Sequence, residues 1–385
     1  MAGNRAQPAY DAIGIRVGNI MVRPTLTVSP EYSSNIFADP DISRSDLAVG
    51  ITPAITAAIV APGASLSLYG EAKFRRYARY SSQDDEQYRI ELNGSTELPG
   101  DFTLQTGLSW GETTAARGTV GNDLTVGDPL KQRDLRTRVA LRKNFNRLYA
   151  GASFSATRST YGDVQLGNGA AIDQSFRNGQ QAGGEVSLGY EMSPLLAVEA
   201  QARYEIYDYR DARPLSNRDA KGYSLAAGLR YQITQLLLAQ FNVGLREHDF
   251  DNPLFARIRG VSLSGRLRWY PTPLISLRAD LDQSTTTSAL DQVSAVTVTD
   301  LKAGVDYEYR RNILLTLESG ISFEDYGEIG ATAKRFSVTG RTEWKINRWL
   351  RLGGYASFNS RTGASSMLIR GYSSVQTGVR ISFAV

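Results

Sequence analysis

Cysteine is absent from the 385 residues, and histidine occurs once. The missing cysteines exclude disulfides, thiolate nucleophiles and cysteine zinc sites. The single histidine, His248, excludes multi-histidine metal centres and disfavours Ser–His–Asp chemistry. Because Glu247 and Asp249 flank it, we interpret His248 as a satisfied surface residue rather than a catalytic base. We therefore expect a protein that is not an enzyme and that has no metal and no cofactor.

Lysine is also scarce, with 7 lysines beside 36 arginines and 39 acidic residues, for a formal net charge of +4. These charges are spread along the chain and form no clustered basic face, so we expect no nucleic-acid partner. No apolar run approaches the ~18 residues of a membrane-spanning helix, which excludes a helical membrane protein.

The N-terminus has neither the charged region nor the apolar region of a secretory signal in residues 1–11. Taken alone, this absence favours the cytoplasm. The rest of the chain favours the cell envelope, as the following patterns indicate. We therefore expect either a signal peptide that has been trimmed or an incorrectly chosen start.

Strict alternation of apolar and polar residues dominates the sequence. In 335–346, Phe336, Val338 and Trp344 share one face, whereas Arg341 and Glu343 share the other. This period of two predicts strands with one face in an apolar medium and one in water. The pattern recurs about eighteen times, over 20–36, 45–58, 63–78, 86–97, 101–113, 134–144, 147–160, 179–190, 194–210, 219–233, 235–250, 257–271, 273–287, 296–310, 312–326, 332–346, 349–361 and 371–384.

The connections alternate between very short turns, such as Pro62-Gly63, and longer polar loops, of which 114–133 and 161–178 are the longest. Short periplasmic turns and long extracellular loops are typical of outer-membrane barrels. A soluble β-sandwich would explain the alternation but not the asymmetric loops. In lipid, every backbone N–H and C=O needs a partner within the protein, so the sheet must close.

The predicted fold is therefore all-β. It is a single closed, antiparallel, up-and-down transmembrane β-barrel of about 18 strands, with 16 as the alternative. We expect a periplasmic N-terminal segment at 1–14 and the barrel at 15–385. Two aromatic belts should mark the water–lipid boundaries. The lower belt would contain Trp269, Trp344 and Trp349, and the upper belt Tyr207, Tyr209, Phe250, Tyr326 and Phe358.

The C-terminal strand contains Gln376, Gly378, Ile381 and Phe383 at the spacing polar-x-Gly-x-x-apolar-x-aromatic. This spacing resembles the terminal signal that the bacterial barrel assembly machinery reads, although two residues follow the aromatic one. An amphipathic edge strand that matches by chance is the alternative interpretation. The signal interpretation predicts the assembly machinery as a partner.

The first strand region, 18–28, reads GNIMVRPTLTV, and EYSSNIF follows at 31–37. This region resembles the start of the putative outer-membrane β-barrel porin 2 family of Gram-negative bacteria, whose first strand typically ends in Tyr-x-x-Asn-Ile-Phe. The resemblance implies an integral protein of the cell outer membrane. Some members lie in exopolysaccharide gene clusters, so it also implies envelope transport, but it identifies no substrate and transfers no functional residues.

Barrels of 16–18 strands enclose an aqueous channel, and the polar face of each strand should line it. The predicted pore-lining residues are Arg203, Arg230, Arg246, Arg266, Arg268, Arg278, Asp280, Arg341, Glu343, Arg351 and Arg380. Two interpretations remain open. The arginines either attract anionic solutes through bidentate contacts, or they form paired wall charges that keep the lumen wet.

Two classes of function follow. The first is a channel, either for export of an exopolysaccharide, towards which the resemblance leans, or for general diffusion of small solutes. The second is a structural or adhesive surface barrel whose lumen is occluded, because loops 114–133 and 161–178 could fold inwards or bind outside partners. The expected partners are outer-membrane lipid and lipopolysaccharide, the barrel assembly machinery and, for export, a periplasmic polysaccharide-export protein.

Overall fold

A computed structural model describes residues 5–122, 127–166, 168–209, 217–288, 290, 293–363 and 369–385. These residues form eighteen long antiparallel strands joined in sequence order. They are β1 (Ile20–Ser33), β2 (Asp46–Ala61), β3 (Ala64–Tyr77), β4 (Asp85–Leu98), β5 (Phe102–Thr114), β6 (Lys131–Phe145), β7 (Leu148–Tyr161), β8 (Gly179–Ser193), β9 (Leu196–Tyr209), β10 (Ala220–Thr234), β11 (Leu237–Phe250), β12 (Ile258–Thr272), β13 (Ile275–Thr287), β14 (Ala295–Arg310), β15 (Ile313–Tyr326), β16 (Ala331–Lys345), β17 (Leu350–Thr362) and β18 (Tyr372–Ala384).

The sheet closes between its first and last strands. Val28 of β1 lies opposite Ile381 of β18, and Tyr32 lies opposite Thr377. Closure removes the free edges that lipid cannot solvate. The prediction of a closed antiparallel barrel is thereby confirmed, with eighteen strands rather than sixteen.

The remaining regular elements are short. Strand Ile15–Val17 pairs with the start of β1, and Val164–Gln165 pairs with Ala171–Ile172 within one loop. Within the described ranges, three 3₁₀ turns occur, at Ser81–Gln83, Ser175–Arg177 and Gly327–Ile329. In the part of the chain that the structure describes, no helix combines the length and the apolar character needed to cross a membrane.

The side chains are arranged as an inverted globule. Large apolar residues face outwards, and Leu225 and Leu245 are 66% and 69% exposed. An apolar cluster occurs at the long-loop end of the barrel, where residues of β14–β16 meet the neighbouring loops. It consists of Val293, Val296, Val298, Tyr326, Ala331, Ala333 and Ile369, and we call it the rim cluster.

The lower aromatic belt lies at the short-turn end, where Trp269, Trp344 and Trp349 are exposed on the outer surface. The upper belt was predicted wrongly for four of its five members. Only Phe358 lies on the outer surface, beside Phe336 with 6.4 Å between the ring centroids. The four others face the lumen instead, namely Tyr207, Tyr209, Phe250 and Tyr326. The reason is the phase of their strands: Tyr207 and Tyr209 alternate in step with the lumen-facing Arg203, and Phe250 and Tyr326 do so with other inward residues of their own strands.

Candidate functional site

The loop between β5 and β6 crosses the lumen. Val120 packs against the rim cluster on β14–β16, which lies on the far side of an eighteen-stranded barrel. Gly118 lies against the ring of Tyr372 on β18. The loop between β7 and β8 also folds inwards, and Nη1 of Arg177 donates to the carbonyl oxygen of Gly121 at 2.8 Å. We call 115–122 the crossing loop.

The crossing loop lines one cavity directly, its partner Arg177 lines a second one, and the two cavities differ in chemistry. The basic vestibule, of about 660 Å³, contains Lys73, Arg75, Arg335, Arg341 and Arg380 in its wall. The second cavity, which we call the aromatic vestibule, has a volume of about 280 Å³. Its lining includes Tyr161, Tyr207, Tyr209, His248 and Phe250.

The basic vestibule continues towards the short-turn end. A further cavity of about 440 Å³ adds Glu343 and Arg351 to its wall. The two cavities share Glu31, Lys73, Arg341, Tyr355 and Arg380. These five residues therefore form a common waist on one polar path through this half of the barrel.

The cations of the basic vestibule fall into two groups. Arg75 forms an ion pair with Glu31 at 2.8 Å, and Arg341 forms one with Glu318. Among the described residues, by contrast, no carboxylate forms an ion pair with Lys73 or Arg380. Arg380 lies over the ring of Tyr355, 5.1 Å from its centroid. The waist thus carries two cations whose charge is available to a solute.

Three long side chains of the lumen wall cross a glycine on the neighbouring strand and bond a glutamate on the strand after it. We call each of these arrangements a clasp. Tyr355 on β17 lies opposite Gly378 on β18, which lies opposite Glu31 on β1. The Tyr355 hydroxyl donates to Glu31 Oε2 at 2.9 Å, and a Cβ atom at Gly378 would lie 2.5 Å from Tyr355 Cε1. Glycine is therefore required where the tyrosine crosses the closure of the barrel.

The other two clasps repeat this arrangement. Tyr149 crosses Gly189 and donates to Glu199 Oε2 at 2.7 Å. Arg278 crosses Gly304 and donates through Nη2 to Glu318 Oε1 at 2.6 Å. Arg142 lies 4.0 Å from the ring centroid of Tyr149, as Arg380 lies over Tyr355.

The predicted pore-lining residues have varied surroundings. Arg341, Glu343, Arg351 and Arg380 line the two connected cavities on the basic side. Five others contact opposite charges: Arg203 with Glu205 at 2.7 Å, Arg230 with Glu191 at 3.4 Å, Arg268 with Asp280 at 2.7 Å, and Arg278 with Asp306. Among the described residues, Arg246 and Arg266 form no ion pair.

The predicted assembly signal is divided between two surfaces. Phe383 is exposed on the outside, opposite Leu350, and Ile381 shares this face opposite Leu352. Gln376 and Gly378 lie on the lumen face, where Gln376 belongs to the wall of the basic vestibule. Gly378 therefore has a structural role in the clasp that the motif did not indicate.

The interpretation of His248 as a surface residue held by its acidic neighbours was wrong. Glu247 and Asp249 point outwards and pair with Arg259 and Arg257, at 3.0 and 2.7 Å. His248 points inwards, and its ring centroid lies 4.9 Å from that of Tyr207. Adjacent residues of a strand face opposite sides, so the flanking acids cannot reach the histidine.

Several site residues were missed by the sequence analysis. Lys73, Arg75 and Tyr355 follow the lumen-facing phase of β3 and β17, and the same alternation could have found them. Arg117 lies on the crossing loop, where its Nη2 donates to Gln83 Oε1 at 2.7 Å and burial lowers its pKa. A loop has no periodicity, so no sequence signal places Arg117.

Part of the N-terminal segment contacts the short-turn end of the lumen. Lys345 Nζ donates to Asp11 Oδ1 at 2.7 Å, and Arg348 Nε donates to the carbonyl oxygen of Pro8 at 2.9 Å. Burial acts to raise the pKa of Asp11, but the hydrogen bonds from Lys345 and from the Gln7 amide outweigh it and hold the pKa below its ordinary value.

Comparison with known proteins gives one match along nearly the whole chain. A family model described as Putative beta-barrel porin 2 matches residues 7–384. No curated protein matches the sequence.

Three solved structures that match most of the chain are those of proteins from pseudomonads. The chain is 13% identical to the outer membrane protein opdK of Pseudomonas aeruginosa, with a TM-score of 0.46 over 94% of this chain and 98% of that one. For OccK2 (OpdF) of the same species the values are 9%, 0.49, 94% and 97%. For a BenF-like porin of Pseudomonas fluorescens Pf-5 they are 8%, 0.48, 95% and 98%. At these values the likeness supports no conclusion about solutes.

Proposed function

Because the chain belongs to the Putative beta-barrel porin 2 family, we propose that this outer-membrane barrel is a diffusion channel with a preference for small anionic solutes. The observation that carries the proposal is the waist of the basic half. Lys73 and Arg380 there have no carboxylate partner among the described residues, while the cavities above and below meet at them.

The electrostatic argument rests on confinement. A cation in a narrow cleft with low-dielectric walls raises the local concentration of anions, because field lines concentrate in the water of the cleft. Arginine also binds carboxylate and phosphate groups through two parallel hydrogen bonds. The paired residues Arg75 and Arg341 would hold the wall rigid, and the unpaired Lys73 and Arg380 would attract the solute.

The size argument favours small molecules. The crossing loop divides the long-loop end, and the basic vestibule of about 660 Å³ falls within the range of small-molecule cavities. Export of a polysaccharide would require a chain to pass the crossing loop, and the family match adds nothing in its favour. A structural or adhesive barrel with an occluded lumen is the second class of function that the experiment below addresses.

The test is ion selectivity in planar lipid bilayers. We expect the wild-type barrel to conduct, and its reversal potential in a KCl gradient to have the sign of chloride preference. Changing both Lys73→Gln and Arg380→Gln should move the reversal potential towards zero or towards potassium preference, because the two unpaired cations of the waist are removed.

A matched control removes the same net charge from the outer surface. Arg76 lies opposite the exposed Val49, and Arg158 lies opposite the exposed Leu135, so both point away from the lumen. The Arg76→Gln, Arg158→Gln double variant should keep the wild-type reversal potential. Cation preference in the wild type would refute the anion proposal, and the absence of any conductance from folded protein would support the occluded barrel.

A further inference from the structure

The barrel wall is incomplete between β12 and β13. Their ladder begins at the short-turn end, with Thr272 opposite Ile275, and ends with Ser264 opposite Asp282. Residues 258–263 and 283–287, which the structure describes in full, form no pairs with each other. Both strands remain paired with their other neighbours over these residues. β12 pairs with β11 up to Ile258 opposite His248, and β13 pairs with β14 up to Thr287 opposite Ala295. We call this unpaired region the seam.

The seam adjoins the aromatic vestibule. The wall of that cavity passes from His248 and Phe250 on β11 to Thr285–Thr287 on β13, without a residue of β12 between them. Gly260 of β12 faces open space, since a Cβ atom placed there would meet no atom within 4 Å. Gly260 lies opposite the lumen-facing Arg246, so this space is on the lumen side of the seam, and the vestibule and the unpaired region are adjacent.

One cation occupies the seam. Arg246 on β11 lies opposite Gly260, and its Nη1 reaches past this glycine to the carbonyl oxygen of Gln283 at 3.5 Å. Its Nη2 lies 3.4 Å from Thr297 Oγ1, and its buried Nε has no acceptor. Among the described residues, no carboxylate forms an ion pair with Arg246. Arg246 therefore faces the lumen beside the seam with a charge that no described carboxylate pairs with.

The outer surface beside this cation is apolar. Leu245 and Val261 form one exposed pair, and Val243 and Leu263 form the next pair towards the membrane centre. The Glu247–Arg259 pair follows on the other side and marks the polar boundary. The seam thus presents a cation at the level where the hydrocarbon region ends.

We propose that the seam is a lateral portal for single-chain amphiphiles with a carboxylate head group. The Arg246 guanidinium would bind the carboxylate, for which its planar donors are suited. The tail would lie outside, along the apolar pairs of β11 and β12. The vestibule of about 280 Å³ has room for such a head group. This route is separate from the anion path of the basic half.

The test uses palmitate that carries a diazirine on its chain, photolysed with the folded barrel in membranes, and adducts mapped by mass spectrometry. We expect adducts on 258–263 and 283–287. Arg246→Gln should reduce them about tenfold, the effect of losing a charge-assisted contact of ~1.4 kcal/mol. Arg246→Lys should restore part of the labelling, and the outward-facing Arg76→Gln should leave it unchanged.

Three labelling patterns would overturn the portal. They are adducts spread evenly around the hydrophobic belt, equal labelling of the seam by a diazirine-bearing phosphatidylcholine, and labelling that Arg246→Gln does not change. The absence of adducts on heat-modifiable, folded protein counts equally against it. Failure of the portal leaves the reversal-potential test of the basic half unaffected, so the two proposals are distinguishable.

A second measurement needs no ligand, since the chain has no cysteine of its own. Cysteines at Ser264 and Asp282, a ladder pair, should cross-link under mild oxidation. Cysteines at Ser262 and Ser284, the pair that a continued ladder would bring together, should not. Equal cross-linking of both pairs would mean that the wall is closed.

Discussion

At the scale of single residues, the lumen wall depends on glycines that admit a neighbour's side chain. Three glycines, Gly378, Gly189 and Gly304, each lie under a long side chain that reaches a glutamate two strands away. These clasps connect strands that share no ladder, so they resist shear of the sheet. The sequence indicates which residues of the lumen are polar, and the clasps are specific hydrogen bonds between some of these residues.

Gly378→Ala tests the clasp at the barrel closure. The added methyl group would meet the Tyr355 ring and displace its hydroxyl from Glu31, and overpacking of this kind costs about 1–3 kcal/mol. We expect a lower free energy of unfolding in denaturant titrations of the detergent-solubilised barrel. Gly340→Ala is the control, since a Cβ atom there meets nothing within 4 Å. Equal stability of the two variants would contradict the clasp.

The partners of individual charges could not be read from the sequence. Alternation alone places Arg278 and Glu318 on the lumen face, but their contact requires the registers of β13, β14 and β15 to align across Gly304. Register depends on pairing between strands, which a single sequence does not display. His248 shows the opposite case, because the phase of β11 alone was enough to separate it from its acidic neighbours.

At the scale of elements, the strands were predicted closely and the loops were not. The predicted strand 63–78 corresponds to Ala64–Tyr77, and 101–113 corresponds to Phe102–Thr114. The first strand was predicted to reach 36 but ends at Ser33, because the Asn35 side chain bonds the carbonyl oxygen of Asp39 and turns the chain. The prediction of the upper aromatic belt was wrong because it used only the position of each residue near a strand end and not the lumen-facing phase of the strand.

Val120→Asp tests the crossing loop. Val120 anchors the loop to the rim cluster, and a charge there forfeits about 1–2 kcal/mol of apolar burial and adds a desolvation cost. We expect the loop to detach and the two vestibules to merge, which should raise the single-channel conductance. Val49→Asp, which lies on the outer surface opposite Arg76, should leave the conductance at the wild-type value. An unchanged conductance in Val120→Asp would show that the loop does not restrict the bore.

At the scale of the whole molecule, one physical rule explains why most strands and their lumen-facing sides could be predicted from the sequence. The chain exposes its apolar residues and encloses its charges, so period-two alternation carries both the strand count and the sidedness of every strand. The rule does not predict where two neighbouring strands stop pairing. No alternation signal marks the seam, because β12 and β13 keep their strand pattern in 258–263 and 283–287 although they do not pair there.

Insertion of the whole barrel provides the last prediction, because Phe383 and Gln376 lie on opposite faces of β18. We propose that the assembly machinery reads the outer face, where Phe383 and Ile381 are accessible from the membrane. Phe383→Ala should therefore lower the heat-modifiable, folded fraction in outer membranes several-fold. Phe358→Ala removes a similarly exposed aromatic residue from the adjacent strand and should assemble normally. Gln376→Ala changes only the lumen face, so reduced assembly in that variant would mean that the terminal spacing is read as one motif.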